Sequence, residues 1–107
     1  MSGLTLLYVT CAHHQEALRI ARVLVEERLV ACANIMAPHT AVYRWAEQVR
    51  DEPEVAMLLK TQADMTARVS ERIKSLHSYS VPCMVALPIQ GGNPDFLTWV
   101  GQEVVGD

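Results

Sequence analysis

The chain contains two segments of helical periodicity, and each lies between short apolar runs. In the first segment, from about His14 to Val30, apolar residues recur at helical spacing and the opposite face is polar. The second segment begins at Asp64, a typical N-cap residue, and ends at His77. A strand–helix–strand order that occurs twice favours one sheet with its crossover helices packed against one face.

Apolar or alternating stretches predict the strands, and they are Leu4–Thr10, Val30–Pro38, Ala41–Val49, Glu54–Thr61 and Cys83–Leu87. We expect the second to end at Pro38 and the last to be confined by Pro82 and Pro88, because proline donates no ladder hydrogen bond. Asn93 and Pro94 predict the start of a C-terminal helix. This order predicts an α+β fold, a ferredoxin-like split βαβ sandwich with a long β-hairpin.

Composition limits both the size and the partners of this fold. The chain has 107 residues, of which half are hydrophobic, and we expect one domain over residues 1–107. The formal net charge of −3 and the lack of a basic cluster argue against a nucleic-acid partner. No apolar run is long enough to span a bilayer, and no signal peptide is recognisable. Three widely spaced cysteines fit reduced thiols, so we expect a cytoplasmic protein without membrane partners.

The predicted sheet has a face that no assigned helix covers. Leu6, Tyr8, Met57 and Leu59 lie in strands that are apolar on both faces, and the hairpin over residues 31–61 would leave a free edge. Self-association into a closed ring would bury both features. The aromatic residues expected to act as packing or interface anchors are Tyr43, Trp45 and Trp99.

Enzyme signatures are missing from the sequence. It contains no GxSxG elbow, no GxxxxGK[ST] loop and no GxGxxG turn between a strand and a helix. A Cys11/His77 nucleophile pair is conceivable, but no orienting acid can be assigned to it. We therefore expect no catalytic activity and assign no catalytic residue.

Six ordered segments together resemble the CutA divalent-cation tolerance proteins, and they are VTC, EERLVACANI, VYRW, EVAMLLKT, HSYSVPCMVALPI and GNPDFLTW. The resemblance covers nearly the whole chain. It implies a ferredoxin-like subunit in a homotrimer, in the cytoplasm of bacteria, linked to tolerance of copper and other divalent metals without an established reaction. The chain departs from the family pattern at four positions. Ser78 stands where the family commonly has proline, Ser80 and Cys83 stand where it commonly has glutamates, and Glu47 stands where the hairpin commonly has glycine.

The resemblance also implies a metal site, because copper in the family is associated with positions that correspond to Cys11, Glu54 and His77. Thiolate, imidazole and carboxylate suit copper or zinc. Each residue also has a structural interpretation: Cys11 as a small buried hydrophobe, His77 as a helix C-terminal residue and Glu54 as a solvated carboxylate. The cofactor is therefore expected to be copper or another divalent metal, and none is certain. Because Cys11 follows the first strand and His77 the second helix, we expect a shared site to form between subunits.

A second functional hypothesis is a small-ligand or anion sensor, because trimeric P-II-like signalling proteins share the general architecture. Lys60 and Arg44 are the candidate anion-binding residues, although one lysine and one arginine in strands are more often interfacial salt-bridge partners. Tyr79, in the loop before the last strand, and Cys83, at the start of that strand, are the other candidate ligand-binding residues. A purely structural trimeric interaction module is a third hypothesis.

Overall fold

The computed structural model describes residues 3–105, in which four strands form one antiparallel sheet. The strands are β1 (Leu4–Cys11), β2 (Cys32–Trp45), β3 (Gln48–Gln62) and β4 (Met84–Ile89), in the order β2-β3-β1-β4. The helices are α1 (His14–Glu26), α2 (Thr66–Leu76), which a 3₁₀ turn (Ala63–Met65) precedes, and α3 (Pro94–Glu103). The mixed α+β architecture and the C-terminal helix are confirmed. Residues 1–2 and 106–107 of the predicted domain lie outside the described residues.

One face of the sheet packs against the helices and forms the core. Successive residues of a strand point to opposite faces, so the alternate residues that pair across β1 and β3 share this face. The sheet residues in the core are Leu7, Val9, Cys11, Val55, Met57 and Leu59, and the helices contribute Ile20, Leu24, Val69, Ile73 and Val100. All of these side chains are 2% exposed or less. Cys11 therefore points toward the helices.

The opposite face carries an apolar set, which we call the open face: Leu6, Tyr8, Leu58, Val85 and Leu87. These residues are direct cross-strand partners, since Leu6 pairs with Leu87 and Tyr8 pairs with both Leu58 and Val85. Val85 and Leu87 are 49% and 50% exposed. Leu6, Tyr8 and Leu58 are half-buried, so the open face presents its apolar surface to solvent mainly along β4.

β2 and β3 form a continuous hairpin, and the prediction that Pro38 ends β2 is wrong. The strand continues to Trp45, and the ladder absorbs the irregularity as a register shift between Ile35 and Pro38. The hairpin then turns at Ala46 and Glu47, whose φ angles of 52° and 63° are both left-handed. Two left-handed residues in succession are the mark of a type I′ turn, which matches the twist of the strands it joins.

Other predicted boundaries also differ, and the strand predicted over Ala41–Val49 is divided by the turn, so that β3 begins at Gln48 rather than at Glu54. β4 runs through Pro88 to Ile89. It is an outer strand with β1 as its one partner strand, so a residue without a backbone N–H donor is tolerated there. α1 ends at Glu26, since Arg28 adopts a left-handed φ of 60° that the helix cannot continue. Asp64 lies inside the 3₁₀ turn and is not a helix N-cap. Among residues 3–105, no helix has the length and apolar character needed to cross a membrane.

Candidate metal centre

Three possible metal ligands lie together at one end of the sheet: Cys11, Glu16 and His77. One ligand atom from each lies within 4.8 Å of the other two. Cys11 is the last residue of β1, Glu16 lies in the first turn of α1, and His77 is the C-cap of α2. The side chains of His77 and Glu16 are 0% and 4% exposed.

All three residues belong to one chain, so the expectation that Cys11 and His77 need a neighbouring subunit is wrong. The reason lies in the strand directions. β3 is antiparallel to β1, so β3 ends where β1 begins. α2 then runs back along the sheet and delivers His77 to the end where β1 finishes and α1 starts. The His77 Nε2 atom lies 2.8 Å from the Thr10 carbonyl oxygen, next to Cys11.

Both ring nitrogens of His77 are hydrogen-bonded, and the partners fix the tautomer. The Thr10 carbonyl can only accept, so Nε2 carries the proton and donates to it. The Tyr79 backbone N–H donates to Nδ1 at 3.0 Å, so the single lone pair of Nδ1 is occupied. In the described conformation Nε2 therefore acts as the donor and Nδ1 as the acceptor. Its Nδ1 lies 3.9 Å from a Glu16 carboxylate oxygen.

Glu16 joins three chain segments through its carboxylate. It accepts from the Ala12 N–H at 3.1 Å and from the Ser78 N–H at 2.7 Å. Its own N–H donates at 3.2 Å to Nδ1 of His13, the N-cap of α1. Burial opposes the charge, but hydrogen bonds from Ser78 and Ala12 outweigh it and lower the pKa of the Glu16 carboxyl.

Sequence reasoning missed Glu16 as a site residue. A signal was available, because an acid three residues after the helix N-cap is the pattern of a capping box. Histidine at that N-cap position concealed it, since serine, threonine, aspartate and asparagine are the usual cap residues. His13 and its neighbour His14 are both exposed.

Cys11 is completely buried and strongly disfavours its thiolate. Burial raises the pKa of the Cys11 thiol, and repulsion from Glu16 and Glu54 adds to it, so the value reaches about 12. The group is therefore a neutral thiol at physiological pH. An ion that binds its sulfur must displace the proton.

Glu54 lies on the other side of the sheet from this cluster. Its neighbour Val55 pairs with Cys11 and shares the core face, so Glu54 points to the open side. There the Tyr79 hydroxyl donates to it at 3.0 Å, and His39 Nε2 lies 3.8 Å from its second oxygen. Burial is the largest cause that raises the pKa of the Tyr79 hydroxyl, and the hydrogen bond to Glu54 and the negative charge of Glu54 raise it further. Of the three predicted metal ligands, the structure brings together Cys11 and His77.

The three predicted ligand-binding residues do not converge. Lys60 donates to the side chain of Asn34 in β2, while Tyr79 contacts Glu54. Glu54 and Lys60 are six residues apart in β3, which corresponds to about 20 Å along a strand. Cys83 is half-buried immediately before β4, at the same end of the sheet as Tyr79.

The three predicted interface aromatics lie at or near the surface. The Tyr43 hydroxyl donates to Glu52 across the hairpin, and Trp45 is 51% exposed beside the turn. Trp99 is 39% exposed on α3, where its ring lies 5.6 Å from that of Phe96. These positions leave all three available to a partner surface.

The donor set of the cluster suits a borderline or soft divalent ion. A thiolate, an imidazole and a carboxylate with one open position form a common ligand set for zinc, and sulfur and nitrogen also favour copper. Magnesium and calcium prefer six or more oxygen ligands, which these residues cannot supply.

Comparison with known proteins identifies the family to which the chain is similar. The model of the CutA1 divalent ion tolerance protein family matches residues 5–103. The divalent-cation tolerance protein CutA of Thermus thermophilus is 42% identical over 95 residues, which cover 89% of this chain and 92% of that protein. Protein CutA of Mus musculus is 40% identical over 95 residues, which cover 89% of this chain and 54% of the mouse protein. The chain thus spans about half the length of that mammalian relative.

Solved structures show the same backbone. The Thermus thermophilus CutA1 structure superimposes with a TM-score of 0.93 at 39% identity, covering 95% of this chain and 99% of that one. The CutA1 structure from Oryza sativa gives a TM-score of 0.94 at 31% identity, with 99% and 98% covered. A structure described as the periplasmic divalent cation tolerance protein CutA from Archaeoglobus fulgidus gives 0.92 at 36% identity, with 95% and 99% covered. From its sequence and its fold, the chain belongs to the CutA1 divalent ion tolerance protein family.

Proposed function

We propose that this chain contributes to divalent-cation tolerance as a homotrimeric, ferredoxin-like scaffold of one domain, which holds a copper or zinc ion and catalyses no reaction. The observation that carries the proposal is the convergence of Cys11, Glu16 and His77 within 4.8 Å at one end of the sheet. We assign the protein to a reducing compartment, the cytoplasm, because all three cysteines are free thiols.

The chemistry of the cluster supports binding rather than catalysis. A nucleophilic cysteine needs a depressed pKa, whereas that of Cys11 is raised to about 12. A general base needs a free lone pair, whereas both nitrogens of His77 are engaged with the backbone. Proton transfer between these two residues is therefore unfavourable in the described conformation.

The proposed trimer rests on the exposed apolar surfaces. The open face exposes about half of Val85 and Leu87, and the hairpin exposes 51% of Trp45. A closed ring would bury these surfaces and protect the outer strands from pairing with other chains. The strand order β2-β3-β1-β4, with two helices as crossovers, supports a ferredoxin-like assignment.

Calorimetric titration with Zn(II), and with Cu(I) under anaerobic conditions, tests the proposed ion site. Because the Cys11 thiol is protonated, binding should release about one proton per ion, and affinity should rise about tenfold per pH unit between pH 6 and 8. Titration in buffers of different ionisation enthalpy counts this proton. Mg(II) and Ca(II) should bind weakly or not at all.

The variants for this experiment separate the cluster from surface histidines. Cys11→Ala/His77→Ala should abolish the pH-dependent binding, whereas His14→Ala, which removes an exposed imidazole, should leave it unchanged. Equal affinity in the parent and the double variant would show that surface groups hold the ion, and the protein would then be a structural trimeric module.

A further inference from the structure

We propose that the segment His77–Tyr79 is a latch that an ion at Cys11, Glu16 and His77 must open, so that ion binding releases Tyr79 from Glu54 on the opposite side of the sheet. The inference rests on the proposed ion site and adds to it a mechanism by which occupancy changes a second surface. It follows from hydrogen-bond competition, ligand spacing and the position of Tyr79.

Competition for a lone pair is the first step. An imidazole nitrogen has one lone pair, and that of His77 Nδ1 accepts the Tyr79 N–H at 3.0 Å. An ion at Nδ1 therefore takes the acceptor away from Tyr79. Coordination at Nε2 would instead move the proton to Nδ1, which could then no longer accept from Tyr79, and would leave the Thr10 carbonyl without its donor. The Glu16 carboxylate has spare lone pairs, so it can bind an ion and still accept from Ser78.

Ligand spacing gives an independent reason for movement. Zinc–ligand bonds of about 2.0 to 2.3 Å place neighbouring ligand atoms of a tetrahedron about 3.3 to 3.7 Å apart. In the described conformation the distance from His77 Nδ1 to Glu16 Oε2 is 3.9 Å, and the ligand atoms of the three residues lie up to 4.8 Å apart. The side chains must draw together by up to about 1 Å. The buried imidazole, which is the side chain that holds Tyr79, is part of that movement.

Tyr79 links the two sides of the sheet. Its N–H donates to His77, its ring lies 4.8 Å from the imidazole, and its hydroxyl donates to Glu54 at 3.0 Å. The first two contacts depend on the imidazole that the ion would claim. Once they are lost, one part-buried hydrogen bond, to Glu54, remains to hold the phenol, and a single bond to a charged group contributes only about 1.5 to 3 kcal/mol. Glu54, which also faces His39, then loses a partner.

Hydrogen exchange of backbone amides tests the latch in the full-length protein, with Zn(II) alone as the diamagnetic probe. Zinc should accelerate exchange of the Tyr79 amide about tenfold or more relative to the Ser78 amide, which keeps its Glu16 acceptor. A stabilising ligand slows exchange in general, so acceleration confined to Tyr79 is diagnostic. Slower or unchanged exchange at Tyr79 in the zinc-bound protein would overturn the latch.

A pair of matched variants gives a second readout. Tyr79→Phe removes the hydroxyl bond to Glu54 and so weakens the closed latch, the ion-free arrangement in which Tyr79 contacts both His77 and Glu54. Zinc affinity should therefore rise roughly three- to tenfold. Tyr43→Phe removes the same kind of phenol–carboxylate bond, to Glu52 in the hairpin, and should leave affinity unchanged. Equal affinities in Tyr79→Phe and the parent, or equal gains in both variants, would contradict the coupling.

The two proposals fail in distinguishable ways. If zinc binds and Cys11→Ala/His77→Ala abolishes binding, but the Tyr79 amide does not respond, the ion site stands and the latch is wrong. If zinc does not bind to the parent protein, or binds equally to the double variant, the ion site is wrong and the latch falls with it.

Discussion

Glu16 shows how one buried carboxylate can hold two chain segments together at one end of the sheet. Its two oxygens accept from Ala12 before α1 and from Ser78 after α2, so it fixes the separation of these segments. Charge-assisted bonds to backbone N–H groups are stronger than neutral ones, and the α1 N-terminus adds a favourable dipole. The residue therefore holds the candidate site together even when no ion is bound.

Glu16→Gln should lower the free energy of unfolding by about 1 to 3 kcal/mol at pH 7, because its amide group cannot accept from both N–H groups. The pKa of Glu16 is lowered in the folded state, so its contribution is present above the ordinary carboxyl pKa and is lost as pH falls below it. The parent and the variant should thus converge in stability toward pH 3, as denaturant titrations would measure.

Glu71→Gln is the control for this experiment. Glu71 is exposed and forms a surface ion pair with Lys74, so the change should alter stability by less than about 0.5 kcal/mol. A Glu16→Gln variant as stable as this control at pH 7 would contradict the role given to the buried carboxylate.

The sequence predicts part of the candidate site because chain order alone places some residues. Cys11 after a strand and His77 at a helix end follow from periodicity and from the resemblance. Whether these two residues meet within one chain depends on the relative directions of β1 and β3, which the sequence of a single segment does not reveal. Glu54 faces the other side of the sheet, because successive residues of β3 point to opposite faces. Glu16 escaped prediction because the N-cap residue of α1 is an unusual one.

At the scale of elements, the hairpin turn carries a conformational cost. Ala46 and Glu47 both have left-handed φ angles, which cost a residue with a side chain roughly 1 to 2 kcal/mol. Asparagine and glycine usually occupy such turns. The strands on either side hold the turn in place through a continuous register from Pro38–Val55 to Trp45–Gln48.

Glu47→Gly should raise the free energy of unfolding by about 0.5 to 1 kcal/mol, since relief of the left-handed φ exceeds the entropy that glycine loses on folding. The matched control is Gln48→Gly, one residue later, which has no positive φ and should destabilise by a similar amount. Thermal unfolding of both variants measures the difference. Destabilisation by both changes would show that the turn is not strained.

The helices and strands themselves were largely predictable, and the two errors at prolines share a cause. Pro38 and Pro88 were expected to end strands because they lack an N–H donor. β2 and β4 are the outer strands of the sheet, so each has one strand partner and tolerates a proline that directs its nitrogen outward. Position within the sheet, which the sequence does not state, decides whether a proline ends a strand.

At the scale of the whole molecule, the two sides of the chain differ in their apolar exposure. On the helix side, the core residues Leu7, Val9, Cys11, Val55, Met57 and Leu59 of β1 and β3 are 2% exposed or less, while Val85 and Leu87 on the open face are about half exposed. Covering such a set in a ring of three chains would remove apolar area from water at three equivalent interfaces. The proposed trimer therefore makes a prediction that depends on which side is substituted.

Leu87→Asp should convert the trimer to monomers, as light scattering would report, because an unpaired buried carboxylate costs several kcal/mol at each of three interfaces. Leu18→Asp is the matched control: Leu18 is 41% exposed on α1, on the helix side, and its variant should remain a trimer. Both positions are substantially exposed in the single chain, so neither change should unfold the subunit. A parent protein that is monomeric at micromolar concentration would refute the trimer. A trimeric Leu87→Asp variant would show that the open face lies outside the interface, and the contact would then have to be made by the hairpin around Trp45.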